Sequence, residues 1–207
     1  MKPTMKRSPG RPKHNSEGPT VRDSILKAAS FLFMERGFEH VSLEQIAQAC
    51  GVTKASLYYY FNNKATLFAA AIIQMMGNIR FYTQQLLERE GTLRERMKAV
   101  AAAHLRTPHF DFESMMREAR GALTKQQMAD IREAEESVHE LVAESFRQAM
   151  ERGEINRVRP LLAAHTFASA MMIRNRGFRG LAENPDDAAE EIVQLLWSGL
   201  LPRNEEG

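Results

Sequence analysis

SLEQIAQACGVTKASLYYYFNNK, residues 42–64, contains the start signals of two short helices separated by a tight turn. Ser42 and Gln45 have the spacing of a capping box, and Thr53 is a suitable N-cap for the second helix. Gly51, between the two helices, readily adopts the positive φ that such a turn favours. The sequence therefore predicts a helix-turn-helix, the unit that places its second helix in the major groove of DNA.

The second of these helices has one apolar face and one polar face. Leu57 and Phe61 are four residues apart and are predicted to point inward. The remaining positions carry small, hydroxyl or ammonium side chains: Lys54, Ala55, Ser56, Tyr58, Tyr59 and Tyr60. Because hydroxyl and ammonium groups donate hydrogen bonds to phosphate oxygens, this face predicts contact with DNA. The alternative for Tyr58 is half-buried packing, and for Lys64 it is a solvated helix start.

The charged residues are distributed unevenly along the 207 residues, although the net charge is only +2 at pH 7. Residues 1–64 contain ten Lys and Arg against five Asp and Glu, whereas residues 65–207 contain eighteen against twenty-one. A basic N-terminal part on a mildly acidic body predicts a polyanionic partner at one end of the protein.

Cysteine content and hydropathy indicate the compartment. Cys50 is the sole cysteine, which excludes an intrachain disulfide and fits a reducing environment. Its place in the turn favours structural burial over redox sensing. No run approaches the roughly 18 apolar residues of a membrane span, and the basic N-terminus lacks the apolar segment of a signal peptide. We expect a cytoplasmic protein without a membrane partner.

Apolar residues recur at helical spacing through the rest of the chain and predict an all-α fold of about nine helices. Gly37, Gly91 and Gly153 mark predicted helix ends, and Pro160 marks a start. Thr124 with Gln127 has the pattern of another capping box. The predicted helices outside the helix-turn-helix cover about 20–36, 64–90, 93–106, 111–121, 124–152, 160–176 and 185–200.

Several short motifs together resemble the TetR family of bacterial transcription regulators, specifically over residues 20–70. They are Gly37-Phe38, Val41-Ser42, Ile46-Ala47, Gly51-Val52-Thr53, Leu57-Tyr58-Tyr59-Tyr60-Phe61 and Asn63-Lys64. The resemblance implies a three-helix DNA-binding domain joined by a long fourth helix to a C-terminal helical domain for ligand binding and dimerisation. The predicted divisions are a disordered basic arm at 1–19, the helix-turn-helix domain at 20–66 and the ligand-binding and dimerisation domain at 67–207.

The resemblance also implies which residues contact DNA. The implied set is Ser42, Thr53, Lys54, Ala55, Ser56, Tyr58, Tyr59, Tyr60 and Lys64. Positions 54–56 are where bases are usually read, and positions 58–60 are where bases or phosphates are contacted. Ser42 and Lys64 match phosphate-contacting positions, and the capping role of Thr53 does not exclude such a contact. Ala55 departs from the glycine or proline that is frequent there, although its methyl group suits a thymine methyl.

The N-terminal arm carries five positive charges and no acid between residues 1 and 13. Its Gly10-Arg11-Pro12 core resembles an AT-hook, in which proline extends the chain, glycine allows close approach and arginine enters the narrow minor groove. We predict that Arg7 and Arg11 contact DNA. The alternative is a solvated basic tail.

The C-terminal part is rich in methionine, whose flexible side chain adapts to apolar ligands of varied shape. The predicted effector-binding residues are Met75, Ile79, Met97, Leu105, Met116, Met128 and Phe146. Ordinary core packing is the alternative for each of them. A cluster of Arg174, Arg176 and Arg179 suits a phosphate-bearing ligand such as an acyl-CoA, although solvated helix ends are the simpler interpretation.

The last two helices are predicted to pair across a two-fold axis into a four-helix bundle, which makes the protein a homodimer. The predicted interface residues are Ala164, His165, Ala168, Met171, Ile192, Leu195 and Leu196. His104 and His109 make a poor metal pair without a third ligand, and we predict no metal and no cofactor.

These patterns favour a repressor that a small hydrophobic effector releases from a palindromic DNA operator. The alternative is a DNA-architectural protein that uses the arm and the helix-turn-helix without an effector. An enzyme is not predicted, because the sequence contains no nucleophile elbow, phosphate-binding loop or metal-spaced His and Cys set.

Overall fold

The helix boundaries follow the capping signals of the sequence. The computed structural model describes residues 20–106, 112–172 and 184–200, and within these ranges it contains nine α-helices and no strand. They are α1 (Val21–Arg36), α2 (Leu43–Ala49), α3 (Lys54–Tyr60), α4 (Lys64–Leu87), α5 (Leu93–Arg106), α6 (Phe112–Ala119), α7 (Lys125–Glu151), α8 (Pro160–Met171) and α9 (Pro185–Leu200). The predicted all-α fold is confirmed.

Side-chain caps begin the helices where the sequence predicts them. Ser42 and Gln45 form a capping box at the start of α2, and Thr124 and Gln127 form one at the start of α7. The hydroxyl oxygen of Thr53 accepts a hydrogen bond at the start of α3. These caps satisfy backbone N–H groups that a helix start leaves without a partner in the helix.

α4 is shorter than the sequence predicts. α4 ends at Leu87 rather than near residue 90, because the Arg96 guanidinium donates a hydrogen bond of 2.8 Å to the Leu87 carbonyl and no apolar residue follows until Leu93. The predicted continuation of α8 to residue 176 lies outside the described residues. None of the helices in the described ranges is both long and apolar enough to span a membrane.

The buried side chains form two apolar cores. The first core fills a head, which we define as residues 20–76, and it also contains Met115 and Ala119 of α6 and Ile131 of α7. The second core joins α5, the C-terminal half of α7, α8 and α9. α4 packs on both α1 and α7, while α5 packs on α9 and α7 on α8. Packing is continuous across residue 66, and the domain boundary predicted there stays a prediction.

Three phenylalanines from separate segments meet at the centre of the head. Phe68 of α4 contacts Phe33 of α1 and Phe38 of the following loop edge to face, with ring centroids 5.0 Å apart in both pairs. Such pairs add to the stabilisation that apolar burial supplies. The cluster fixes α4 against α1 and thereby sets the platform on which α2 and α3 are held.

Candidate nucleic-acid interface

α3 is the second helix of the helix-turn-helix, which we call the recognition helix. Its apolar face packs against the head. Leu57 and Phe61 are buried in the first core, as the sequence predicts. Their burial directs the opposite side of the helix outward. Exposed there are Lys54, Ala55, Tyr58, Tyr59 and Tyr60, and Ser56 is half-buried.

The three tyrosines give α3 a large aromatic surface. Tyr58, Tyr59 and Tyr60 are 44%, 82% and 38% exposed, and the rings of Tyr59 and Tyr60 meet edge to face at 5.1 Å. Clustered exposed apolar surface marks binding sites on soluble proteins. Phenolic hydroxyls suit phosphate oxygens, and the ring edges suit the thymine methyl groups that line the major groove.

The capping hydroxyls keep their hydrogen atoms available. The Ser42 hydroxyl oxygen accepts the Gln45 N–H at 3.2 Å, and the Thr53 hydroxyl oxygen accepts the Ser56 N–H at 3.1 Å. Both oxygens act as acceptors in these bonds, so each O–H can still donate to a phosphate. The two residues therefore combine capping with the chemistry of a phosphate contact.

Lys54 forms an ion pair across the turn with Glu44 of α2, and its ammonium lies 5.9 Å from the centroid of the Tyr58 ring. The hydrogen bond and charge of Glu44 raise the pKa of Lys54, and the same bond lowers the pKa of Glu44. Both side chains are exposed, and an exposed pair of this kind adds little stability. Lys54 can therefore leave Glu44 and bind a phosphate or a base with little loss of stability.

Residues 25–71 match the family model for bacterial regulatory proteins of the tetR family. The Bacillus subtilis regulator YdgC is 36% identical over 76 residues, which cover 37% of this chain and 39% of YdgC. The transcriptional activator FasR of Mycolicibacterium smegmatis is 27% identical over 86% of this chain and 82% of its own. The reduced form of NemR from Escherichia coli has the same fold, with a TM-score of 0.72 and 18% identity over 89% of this chain and all of NemR.

Residues 25–71 form a DNA-binding domain of the TetR family of bacterial transcriptional regulators. Its helix-turn-helix is therefore the DNA-binding unit of a TetR-type regulator. The individual contacts assigned above to Ser42 and to residues 53–60 stay predictions, and the surrounding structure adds detail to them.

Lys64, at the start of α4, is half-buried beside the recognition helix of this TetR-type regulator. Its ammonium donates to the Glu39 carbonyl at 3.3 Å and lies 4.4 Å from the centroid of the Phe38 ring. Burial lowers the pKa of Lys64, while the charges of Glu39 and Glu118 raise it. An ammonium has three donors, so a phosphate contact is compatible with the bond to Glu39.

Arg22 is a basic residue at this surface that the sequence patterns did not assign. It is exposed in the first turn of α1, and its guanidinium carbon lies 5.6 Å from the centroid of the Phe61 ring. This contact places a positive charge beside the C-terminal end of α3. A basic residue directly after the basic arm was the signal in the sequence. The arm itself, with Arg7 and Arg11, lies outside the described residues.

α6 supports the loop between α1 and α2 through Glu118. One carboxylate oxygen of Glu118 accepts the Glu39 N–H at 3.2 Å. The same oxygen is 2.7 Å from the place where a Cβ on Gly37 would lie, and Gly37 has a φ of +82°. Lys64 donates a hydrogen bond to the carbonyl of the same residue, Glu39. The C-terminal part of the chain thus contacts the head next to a predicted phosphate-binding lysine.

The predicted effector-binding residues are divided between the two cores. Met75, Ile79 and Met116 pack half-buried against the first core, whereas Met97, Leu105 and Phe146 lie in the second. Met128, in the first turn of α7, is half-buried. Helical periodicity identifies inward positions but not which core a position faces. Two of the seven residues, Met97 and Phe146, line a cavity of about 260 Å³ between α5, α7, α8 and α9.

Two of the predicted dimer-interface residues, Ala164 and Met171, are buried in the second core of their own chain. Their part in an interface stays a prediction. The other predicted residues are exposed or half-buried: His165, Ala168, Ile192, Leu195 and Leu196. α8 exposes Leu162, Thr166 and Ser169, and Met172, directly after the helix, is also exposed. This stripe, together with the 77% exposed Leu195, is the surface available to a partner.

Two histidines meet where α7 packs on α8. The rings of His139 and His165 have centroids 4.1 Å apart, and Glu136 lies 3.6 Å from the His165 ring nitrogen Nε2. Burial, and then the charge of His165, lower the pKa of His139, which Glu136 partly offsets. Burial and Glu113 raise the pKa of the neighbouring Glu135. Among the described residues, no group of three or more His, Cys, Asp and Glu side chains is placed to hold a metal ion.

The lowered pKa of His139 predicts a loss of stability on acidification. The unfolded chain takes up this proton below about pH 6.5, whereas the folded chain resists it until a lower pH. The free energy of unfolding is therefore expected to fall as the pH drops from 7.5 through this range. Urea denaturation at several pH values measures the slope. His139→Gln should reduce the slope, and a slope equal to that of the native protein would contradict this assignment.

Proposed function

We propose that this TetR-type regulator is a homodimeric repressor that binds a palindromic operator through α3 and dissociates when a small hydrophobic effector binds the C-terminal part. The observation that carries the DNA-binding half of the proposal is the outward face of α3. That face presents three tyrosine rings, an ammonium and capping hydroxyls, while Leu57 and Phe61 hold the opposite face rigidly in the core. A rigid, donor-rich helix is what reading of the major groove requires.

Dimerisation is needed because one seven-residue helix contacts too few bases for specificity. Two helix-turn-helix units related by a two-fold axis bind half-sites about one helical turn apart, so the operator is expected to be a palindrome. We assign the interface to the exposed stripe of α8 and to α9 around Leu195. Both helices pack on the second core, which leaves the head of each protomer free to approach DNA.

Release follows if the effector binds more tightly to the conformation in which the two α3 helices are wrongly spaced. An effector shifts such an equilibrium only by its difference in affinity for the two states. The contact of Glu118 with Glu39, and the burial of Met115 and Ala119 in the head, provide a mechanical link between the two parts of the chain. A displacement of α6 would be passed directly to the loop that holds Lys64.

Replacement of Tyr59 with alanine is expected to weaken operator binding by about tenfold or more, since one good contact to DNA contributes about 1–3 kcal/mol. Footprinting of DNA flanking the gene of this protein, at about 150 mM salt and with increasing competitor DNA, gives the affinity. Tyr82→Ala is the matched control, because Tyr82 is a 66% exposed tyrosine on α4, outside the recognition helix. Equal affinities of the two variants would contradict a contact between Tyr59 and the operator.

The same experiment separates the proposal from a DNA-architectural role. A specific repressor protects one palindrome of about one to two helical turns and resists competitor DNA. An architectural protein loses its protection as competitor is added, because its binding rests on phosphate contacts that every sequence offers. Transcription from the protected promoter, with and without the protein, then distinguishes repression from activation.

A further inference from the structure

The cavity between α5, α7, α8 and α9 combines an apolar interior with a basic mouth. Its walls are aromatic and aliphatic, with Met97 and Phe146 on one side, Phe167 and Val193 deep in the second core, and Trp197 on α9. Arg159, immediately before α8, is an exposed residue that also lines the cavity. A concave apolar site with a single convergent charge is the common form of a small-molecule site.

The charge of Arg159 is not used within the described part of the chain. Arg159 occupies the N-cap position of α8 without a side-chain capping bond, and the ion pairs found in the described residues leave it out. An exposed arginine without an ion pair is common and does not by itself destabilise a protein. This one, however, lies against an apolar cavity, so its guanidinium is placed to bind the anionic end of a ligand whose apolar part enters the cavity.

From this arrangement we propose that the cavity binds a small apolar carboxylic acid, with its hydrocarbon chain between Phe146, Phe167 and Trp197 and its carboxylate on Arg159. A planar guanidinium pairs with a carboxylate through two parallel hydrogen bonds, which makes the match one of geometry as well as charge. The cavity volume of about 260 Å³ is near the lower end of small-molecule sites, so a single-chain acid such as decanoate is a suitable probe.

The cavity opens on the α8 and α9 surface that we assign to the dimer. Leu162 and Thr166 of the exposed α8 stripe line it, as does Leu196 of α9. A ligand in the cavity would therefore alter the packing of the two protomers and the spacing of their recognition helices. The effector role of the site rests on the function proposed above, whereas binding of the acid does not.

Trp197 is the one tryptophan of the chain and lines the cavity, so its fluorescence reports occupancy directly. We expect decanoate, below its micelle concentration, to change this fluorescence saturably. Arg159→Gln should weaken decanoate binding at least tenfold. Arg157→Gln is the matched control, because Arg157 is exposed in the same loop but does not line the cavity. Decanol tests the charge without any variant and should bind the native protein as weakly as decanoate binds Arg159→Gln.

Three results would overturn the proposal. Equal binding of decanoate and decanol, or an unchanged affinity in Arg159→Gln, would show that the carboxylate is not recognised. The absence of saturation, with a Trp197 spectrum that instead changes on dilution of the protein, would assign the cavity to a second copy of the chain. Footprinting in parallel distinguishes failure of this proposal from failure of the proposed function. Operator protection without decanoate binding would contradict only the ligand site. Decanoate binding without operator protection would contradict only the repressor function.

Discussion

Phe68→Ala is expected to lower the free energy of unfolding of the head by about 3–5 kcal/mol, the range for a buried phenylalanine. Phe68 is 0% exposed and contacts both Phe33 and Phe38, so its removal leaves a cavity and deletes two aromatic pairs. The two contacting rings come from α1 and from the loop after it, whereas Phe68 lies on α4. These segments cannot close the cavity without displacing α1. The loss is a large fraction of the roughly 5–15 kcal/mol that holds a typical domain folded.

Phe81→Ala provides the control on the same helix. Phe81 is 56% exposed and contacts Tyr82 at 5.5 Å, so its loss should change stability by no more than about 0.5 kcal/mol. Urea denaturation followed by far-UV circular dichroism measures both variants, and Trp197 fluorescence follows the second core separately. A Phe68 variant as stable as the Phe81 variant would contradict the placement of α4 against α1.

The DNA-binding consequence of Phe68→Ala differs from that of Tyr59→Ala. Tyr59 is expected to act on the contact alone, so its variant should unfold like the native protein. Phe68→Ala should instead weaken binding by lowering the fraction of molecules in which the head is folded. This variant should therefore regain affinity at low temperature or on addition of a stabilising osmolyte such as sucrose. This difference separates a contact residue from a residue that supports the interface.

The sequence predicts local features of this fold well, because they depend on neighbours along the chain. The capping boxes at Ser42 and Thr124 connect residues three positions apart, and the burial of Leu57 and Phe61 follows from their spacing. Such patterns are complete within one helical turn. The amino-acid sequence alone is therefore sufficient to locate the outward face of α3.

Features that depend on distant segments could not be predicted in the same way. The contact of Glu118 with Glu39 joins positions 79 residues apart, and the pairing of Lys54 with Glu44 crosses the turn between two helices. The division of the methionines between two cores depends on how α4 and α7 pack, which periodicity does not specify. For the same reason, Ala164 has the small side chain of an interface residue but lies inside its own chain.

Gly37→Ala is expected to destabilise the head by about 2–3 kcal/mol through backbone strain combined with a steric clash. Gly37 has φ +82° and ψ 169°, a conformation open almost exclusively to glycine. A methyl group there would also lie 2.7 Å from a carboxylate oxygen of Glu118. Glu118 would have to move and would lose its bond to the Glu39 N–H, next to the carbonyl that Lys64 holds.

Two further variants separate strain from the clash. Gly51→Ala has a positive φ of +69° with no atom within 4 Å of the added Cβ, so strain alone should cost it about 1 kcal/mol. Glu118→Ala removes the obstacle, and Gly37→Ala in that background should cost less than it does in the native protein by at least about 0.5 kcal/mol. Urea denaturation of the four proteins of this cycle, with Gly51→Ala beside them, gives each value. Strictly additive losses would mean that Glu118 does not obstruct a methyl group at position 37.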